Sequence, residues 1–189
     1  MEKKASIAVF ASGSGSNFQA IQENIENGQL QATIELVVTD HPDAYVTTRA
    51  KEKGIPVLAL NPKNFETKED YEKKILKVLQ ELKVEWLVLA GYMRLVGKTL
   101  LSAFPSRIVN IHPSLLPSFP GKDAIGQAIN HGVKVTGVTV HFVDEGMDTG
   151  KIIMQRAVNV IDCDLVKTEK AIHEVEHEIY SAALQLLLK

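Results

Sequence analysis

Residues 7–17 read Ile-Ala-Val-Phe-Ala-Ser-Gly-Ser-Gly-Ser-Asn, an apolar run that breaks into a Gly/Ser turn just before a helical pattern. A run with no polar alternation is what a strand covered on both faces requires, the usual state of a parallel strand. The same signal recurs at Ile34–Thr39, Pro56–Leu60, Trp86–Ala90 and Arg107–Ile111, so Ile7–Ala11 opens a series. Helical patterns separate these runs. Asn17–Asn27 stops at Gly28, and Ala44–Lys53 stops at Gly54, each glycine suited to the residue after a helix end. Thr67–Leu82 carries Tyr71, Ile75, Val78, Leu79 and Leu82 at helical spacing, with Thr67 and Asp70 placed as a capping pair. Alternation of this kind specifies parallel strands joined by right-handed crossovers, with helices on both faces of the sheet.

The second half changes character. Val135–Val143 alternates, which predicts one wetter face, and only eight residues separate it from Ile152–Val160. Eight residues cannot hold a crossover helix, so these two strands are expected to pair antiparallel or to sit at an edge. Leu165–Lys189 is the longest helical pattern, with Leu165, Ile172, Val175, Ile179, Ala182 and Leu186 as its expected buried stripe. The expected fold is α/β: an open, mostly parallel, twisted sheet of about seven strands with helices on both faces. At 189 residues, residues 1–189 are read as one domain, within the usual span of about 100–200.

Composition excludes whole classes. An apolar share of 45% with 23% charged residues is that of a globular protein, not of a disordered, collagenous or coiled-coil chain. Lys and Arg number 21 against 23 Asp and Glu, so the basic excess of a nucleic-acid binder is absent and small-molecule partners are expected. Cys163 is the one cysteine, which suits a reducing compartment. Its acidic neighbours and lack of an adjacent His argue against a nucleophile. The start, MEKKASIAVF, lacks the apolar length of a signal peptide, and no apolar stretch approaches membrane-spanning length. A cytoplasmic protein with no membrane partner is expected, either monomer or homodimer.

Four stretches carry chemistry. Ser12-Gly13-Ser14-Gly15-Ser16-Asn17 sits where ligands meet an open parallel sheet, at the carboxyl end of a strand. Gly13 and Gly15 allow a tight turn, Ser16 and Asn17 cap a helix or donate to phosphate, and a helix N-terminus attracts an anion. Phe18 occupies the last glycine position of the dinucleotide fingerprint, and no P-loop Lys follows, so the turn reads as a phosphomonoester site. In Asn110-Ile111-His112-Pro113, the amide and the imidazole alternate about Ile111 and emerge on one face. A donor beside a proton-transferring ring is half of an acyl-transfer site.

The run Val143–Gly150 holds Asp144, Glu145 and Asp148. Its composition alone describes a solvated hairpin, but a carboxylate is what a protonated His nearby requires. His173-Glu174-Val175-Glu176-His177 matches the zinc-protease pattern HExxH. Both His fall off the apolar stripe, Glu174 points opposite it and no third ligand follows, so no metal is expected. Glu176 borders the stripe and is placed to face a cleft.

These segments together resemble the folate-dependent formyltransferases, over nearly the whole chain. The carriers are residues 11–17, Leu89-Ala90-Gly91-Tyr92-Met93-Arg94, residues 110–117 (Asn-Ile-His-Pro-Ser-Leu-Leu-Pro) and Val140–Asp144 running on to Asp148. The Gly-Ser-Asn loop and short chain select the branch that formylates glycinamide ribonucleotide in purine synthesis. The resemblance implies a formyltransferase fold with a Rossmann-like N-terminal half (about 1–100, binding phosphate). The C-terminal half (about 101–189) would carry the catalytic and folate loops.

It implies 10-formyltetrahydrofolate as co-substrate, and Asn110, His112 and Asp148 as the catalytic trio. Gly15, Ser16, Asn17 and Glu176 are implied for the ribonucleotide. For the folate they are Lys68, Met93, Arg94, Leu95, Val96, Asn110 and Val143. Lys68 stands where some members have Arg, and Asp123 and Ile125 stand where some have His. Relatives acting on methionyl-tRNA predict a C-terminal RNA-binding domain and basic charge, and formyltetrahydrofolate hydrolases predict an N-terminal regulatory domain. Neither extension is expected here. A non-catalytic nucleotide-binding module would keep the Gly/Ser loop without needing Asn110, His112 and Asp148 together.

Overall fold

The structure, a computed structural model, describes residues 4–188. The strands are β1 (Ala5–Phe10), β2 (Ala32–Thr39), β3 (Val57–Ala59), β4 (Trp86–Leu89), β5 (Ile108–His112), β6 (Val135–Phe142) and β7 (Ile152–Asn159). They form one sheet in the order β3-β2-β1-β4-β5-β6-β7. The first five run parallel, and β6 and β7 are antiparallel to their neighbours. The helices are α1 (Ser16–Glu26), α2 (Val46–Glu52), α3 (Lys68–Glu81), α4 (Lys98–Ala103), α5 (Ala124–His131) and α6 (Leu165–Leu187).

The apolar run of β1 explains the two layers around the sheet. Ile7 and Val9 join one core with Phe18 and Ile21 of α1 and Ile172 and Ile179 of α6. Ala8 and Phe10 join the opposite core with Tyr71, Ile75 and Leu79 of α3 and Leu100 of α4. Successive side chains of a strand point to opposite faces, so a strand buried on both sides must be apolar throughout.

The expected stops hold: Gly28 and Gly54 take positive φ after α1 and α2. The Thr67 side chain accepts the Asp70 N–H at the start of α3. The antiparallel pairing of β6 with β7 and the edge position of β7 also match expectation.

Two expectations need correction, and two short helices add to the expected elements. The short helices α4 and α5 were not legible in the sequence. α5 contains Gly126 and starts from Asp123 in a left-handed conformation, so its first turn reads locally as loop. The wetter face of β6 does not exist, since Thr136, Thr139 and His141 are all buried. β6 is an interior strand, and the Thr139 hydroxyl is enclosed between the Ser114 carbonyl and the Leu116 N–H. The α6 stripe is rotated from the expected one: Leu165, Ala182 and Leu186 are exposed, while Tyr180, Ala183 and Leu184 are buried. Leu165 stands at the first helical position of α6. Lys189, the expected end of this helix, lies outside the described residues.

Candidate active site

A cavity of about 730 Å³ opens at the carboxyl ends of β1, β4 and β5, where the chain leaves neighbouring strands in diverging directions. That is where an open α/β sheet places ligands. Its wall is completed by the loop after β6 and by one face of α6.

The β1–α1 turn forms one side. Gly15 precedes α1 with φ +76, and a Cβ there would lie 2.6 Å from Val46 Cγ2, so glycine is required by both backbone and space. Gly13, by contrast, has room for a side chain. The turn is held on α2, where the Val46 N–H donates to the Gly13 carbonyl and Arg49 Nε donates to that of Ser14. Neither Ser16 nor Asn17 caps the helix with its side chain. The start of α1 therefore keeps its N–H groups available, the arrangement that receives a phosphate.

Asn17 turns its side chain elsewhere, donating from Nδ2 to Glu176 Oε2 at 3.2 Å. Glu176 is 4% exposed and lies well inside the buried face of α6 rather than on its border. The same oxygen receives His173 Nδ1 at 2.8 Å. That bond raises the pKa of His173 above its ordinary value, with burial opposing. The carboxylate thus ties α6 to the anion turn.

Asn110 and His112 emerge together from β5, and both line the cavity. His112 Nε2 is 2.9 Å from the Phe119 carbonyl oxygen, which only accepts, so this nitrogen carries a proton. Its Nδ1 faces Asp148 Oδ2 at 3.5 Å. That separation is longer than a hydrogen bond but sets a carboxylate directly against the ring. Asp148 is fixed in turn by the Gly121 N–H, 2.7 Å from Oδ2, and its backbone takes φ 55, which Asp tolerates. The acidic loop is therefore not a solvated hairpin at this residue. It folds back over the end of β5.

His141 completes the group, although sequence reasoning did not assign it a role. The register of β5 on β6 sets it opposite Asn110. His141 Nδ1 donates to the Phe142 carbonyl at 2.8 Å, which leaves Nε2 to accept from Asn110 Nδ2 at 3.3 Å. Burial, the largest influence, lowers the His141 pKa, consistent with a neutral ring. With one amide hydrogen engaged and its orientation thus set, Asn110 keeps a second for the cavity.

Met93, Arg94, Leu95 and Val96 form the lip after β4, with Val143 and Met147 opposite. Arg94 lies over the Tyr71 ring, and the Tyr92 and Tyr71 hydroxyls bond at 2.9 Å. Tyr92 thus packs as expected while also lining the cavity. Asp123 and Ile125 line the wall as well. Lys68 does not line the cavity itself; it is exposed at the first position of α3, with its side chain beside Gly97 at the end of the lip. His173 is turned to Glu176 and Glu174 is exposed, so the HExxH residues do not converge. Among the described residues no three His, Cys, Asp or Glu side chains gather as a metal site.

Residues 5–184 match the family model described as Formyl transferase. The chain is 50% identical over 182 residues to phosphoribosylglycinamide formyltransferase of Bacillus subtilis, covering 96% of this chain and 93% of that protein. It is 40% identical over 187 residues to the human trifunctional purine biosynthetic protein adenosine-3, of which it spans 18%. Among solved structures, phosphoribosylglycinamide formyltransferase from Bacillus halodurans superposes with TM-score 0.95 at 54% identity, covering 97% of this chain and 95% of that one. Glycinamide ribonucleotide transformylase 1 from Geobacillus kaustophilus gives TM-score 0.96 at 52% identity, covering 98% of this chain and 100% of that one.

Proposed function

This chain belongs to the formyl transferase family, and we infer that it transfers a formyl group to the amine of phosphoribosylglycinamide in purine biosynthesis. The proposed donor is 10-formyltetrahydrofolate. The observation that carries the reading is one cavity holding an uncapped helix N-terminus, the Asn110–His112–Asp148 group and an apolar lip.

The phosphate is proposed to sit on the N–H groups of Gly15, Ser16 and Asn17, with Glu176 beside the rest of the ribonucleotide. The folate lies between the lip at Met93–Val96 and the wall at Val143. Lys68, whose side chain lies beside Gly97 at the far end of the lip, is proposed to reach the folate tail. The substrate amine attacks the formyl carbon, and the carbonyl electron pair moves onto oxygen. Asn110 Nδ2 and His112 Nδ1 are proposed to donate to that oxyanion, the His112 Nε2 proton being held by the Phe119 carbonyl. Donors pre-aimed at developing charge are worth about 100- to 1,000-fold each. Asp148 sets its carboxylate against His112 Nδ1, where it offsets positive charge that develops on the ring. The amine's surplus proton reaches the departing folate nitrogen as the carbon–nitrogen bond breaks, leaving an N-formyl product and tetrahydrofolate.

One α/β unit is proposed to carry the whole reaction, its N-terminal half supplying the anion turn and its C-terminal half the catalytic group. The partners are small molecules. The lone, exposed Cys163 suits a reducing compartment, and the cytoplasm is the proposed one. The deciding experiment supplies both substrates and follows the formylated ribonucleotide. Deformylation of the folate in the absence of the amine would instead identify a hydrolase.

A further inference from the structure

Ser12 and Asp40 stand outside the catalytic group, yet they join its two sides. Ser12 follows β1 and Asp40 follows β2; they are 9% and 4% exposed. Ser12 Oγ donates to Asp40 Oδ1 at 2.5 Å and accepts the Met93 N–H at 2.9 Å. A backbone N–H can only donate, and the hydroxyl gives its one hydrogen to the carboxylate oxygen. Backbone contacts follow the same path. The Ala11 N–H still pairs with Val38 of β2, but the Ser12 N–H pairs with Gly91 beyond β4.

One hydroxyl thus spans the point where the sheet order reverses. On one side the anion turn begins at the next residue. On the other, Met93 opens the lip that runs to Val96. Further along, the lip is pinned by the Gly97 N–H on Glu72 Oε1 at 2.6 Å; at its start Tyr92 is held on Tyr71, and the Met93 backbone is held by the Ser12 hydroxyl.

We propose that Ser12, held by Asp40, is a positioning residue that makes the anion turn and the lip one mechanical unit. A ligand seated in either subsite then favours the geometry that receives the other. The proposal rests on the formyl-transfer reading, in which the two subsites take a phosphate-bearing amine and a folate. A buried carboxylate bonded to a hydroxyl costs desolvation that is recovered only while the hydroxyl stays in place. Moving the turn without the lip would break a charge-assisted bond or strand a backbone N–H.

The test is the affinity for tetrahydrofolate, by calorimetry, with and without saturating glycinamide ribonucleotide. In the wild type the two dissociation constants should differ by about 5- to 150-fold, the usual range of coupling between sites. In Ser12→Ala the ratio should fall to near unity. Asp40→Asn keeps an acceptor without the charge and should give an intermediate ratio. A side chain with a merely structural role would weaken each ligand alone and leave the ratio unchanged. An unchanged ratio in Ser12→Ala, or one near unity in the wild type, overturns the proposal. Should Ser12→Ala not fold, Asp40→Asn decides, and a ratio equal to that of the wild type overturns it. Absence of formylated product from the wild type would instead overturn the functional reading.

Discussion

Nδ1 of His112 lies 3.5 Å from Oδ2 of Asp148, longer than a hydrogen bond but well within the reach of charge. The same carboxylate oxygen is held by the Gly121 N–H, so the separation is set by backbone and not by the imidazole. Asp148→Asn should keep the left-handed backbone at this position and the bond to Gly121 while removing the charge. We predict a fall in kcat of about 10²- to 10⁴-fold, the range for acid–base groups, with KM for both substrates little changed. A rate within tenfold of wild type would remove Asp148 from its role.

Asn110 works through a donor whose direction His141 sets. Asn110→Ala should lower kcat by about 100- to 1,000-fold. Asn110→Asp is the sharper variant, since it preserves size but replaces the N–H groups with acceptors. It should be at least as inactive as the alanine variant. Steady-state kinetics with both substrates saturating measures this, and recovery of the rate in the aspartate variant would show that donation is not needed.

Gly15 has no substitute in this turn. A Cβ would strike Val46, and φ is +76. Gly15→Ala should destabilise the protein by about 1–3 kcal/mol in denaturant titration. KM for the phosphate-bearing substrate should rise more than that for the folate. Gly13→Ala has open space before it and should cost much less.

Two histidines give opposite pH dependences. Burial holds the His141 pKa below the ordinary 6.5, so below that pH the unfolded chain takes up a proton that the folded chain resists. Its contribution to stability is complete above about pH 6.5 and is lost as pH falls through the lowered folded value. His173 is the reverse case. Glu176 raises its pKa above 6.5, so its contribution is complete below that pH and is lost as pH rises through the raised value. Half-exposure of His173 keeps that contribution small. Melting curves of wild type and His173→Gln should converge as pH is raised. Curves that run parallel across that window would contradict the Glu176 bond.

Much of the fold was readable because burial on both faces leaves a one-dimensional trace. A strand such as Ile7–Phe10 must be apolar at every position, and its turn must hold a glycine where φ is positive. Asn110 and His112 were readable for a related reason, since strand geometry alone puts residues two apart on one face. Asp148 was not readable from composition, because an acidic hairpin in water and one folded over β5 use the same letters. His141 was missed because its meaning depends on the register of two antiparallel strands. The position of Glu176 was underestimated because the buried face of α6 is chosen by what it docks against, not by its apolar residues alone.

The sequence by itself determined the alternation of strands and helices, the glycine turn and the side-by-side placement of the amide and imidazole. These depend on backbone sterics and on periods of two and 3.6 residues, which act over a few neighbours. Tertiary structure decided which distant groups meet. Asn17 and Glu176 are 159 residues apart and bond directly. Ser12, Asp40 and Met93 converge only because β2, β1 and β4 are neighbours in the sheet. Such meetings follow from strand order and docking angle, which the packing of the whole core selects and no short segment encodes.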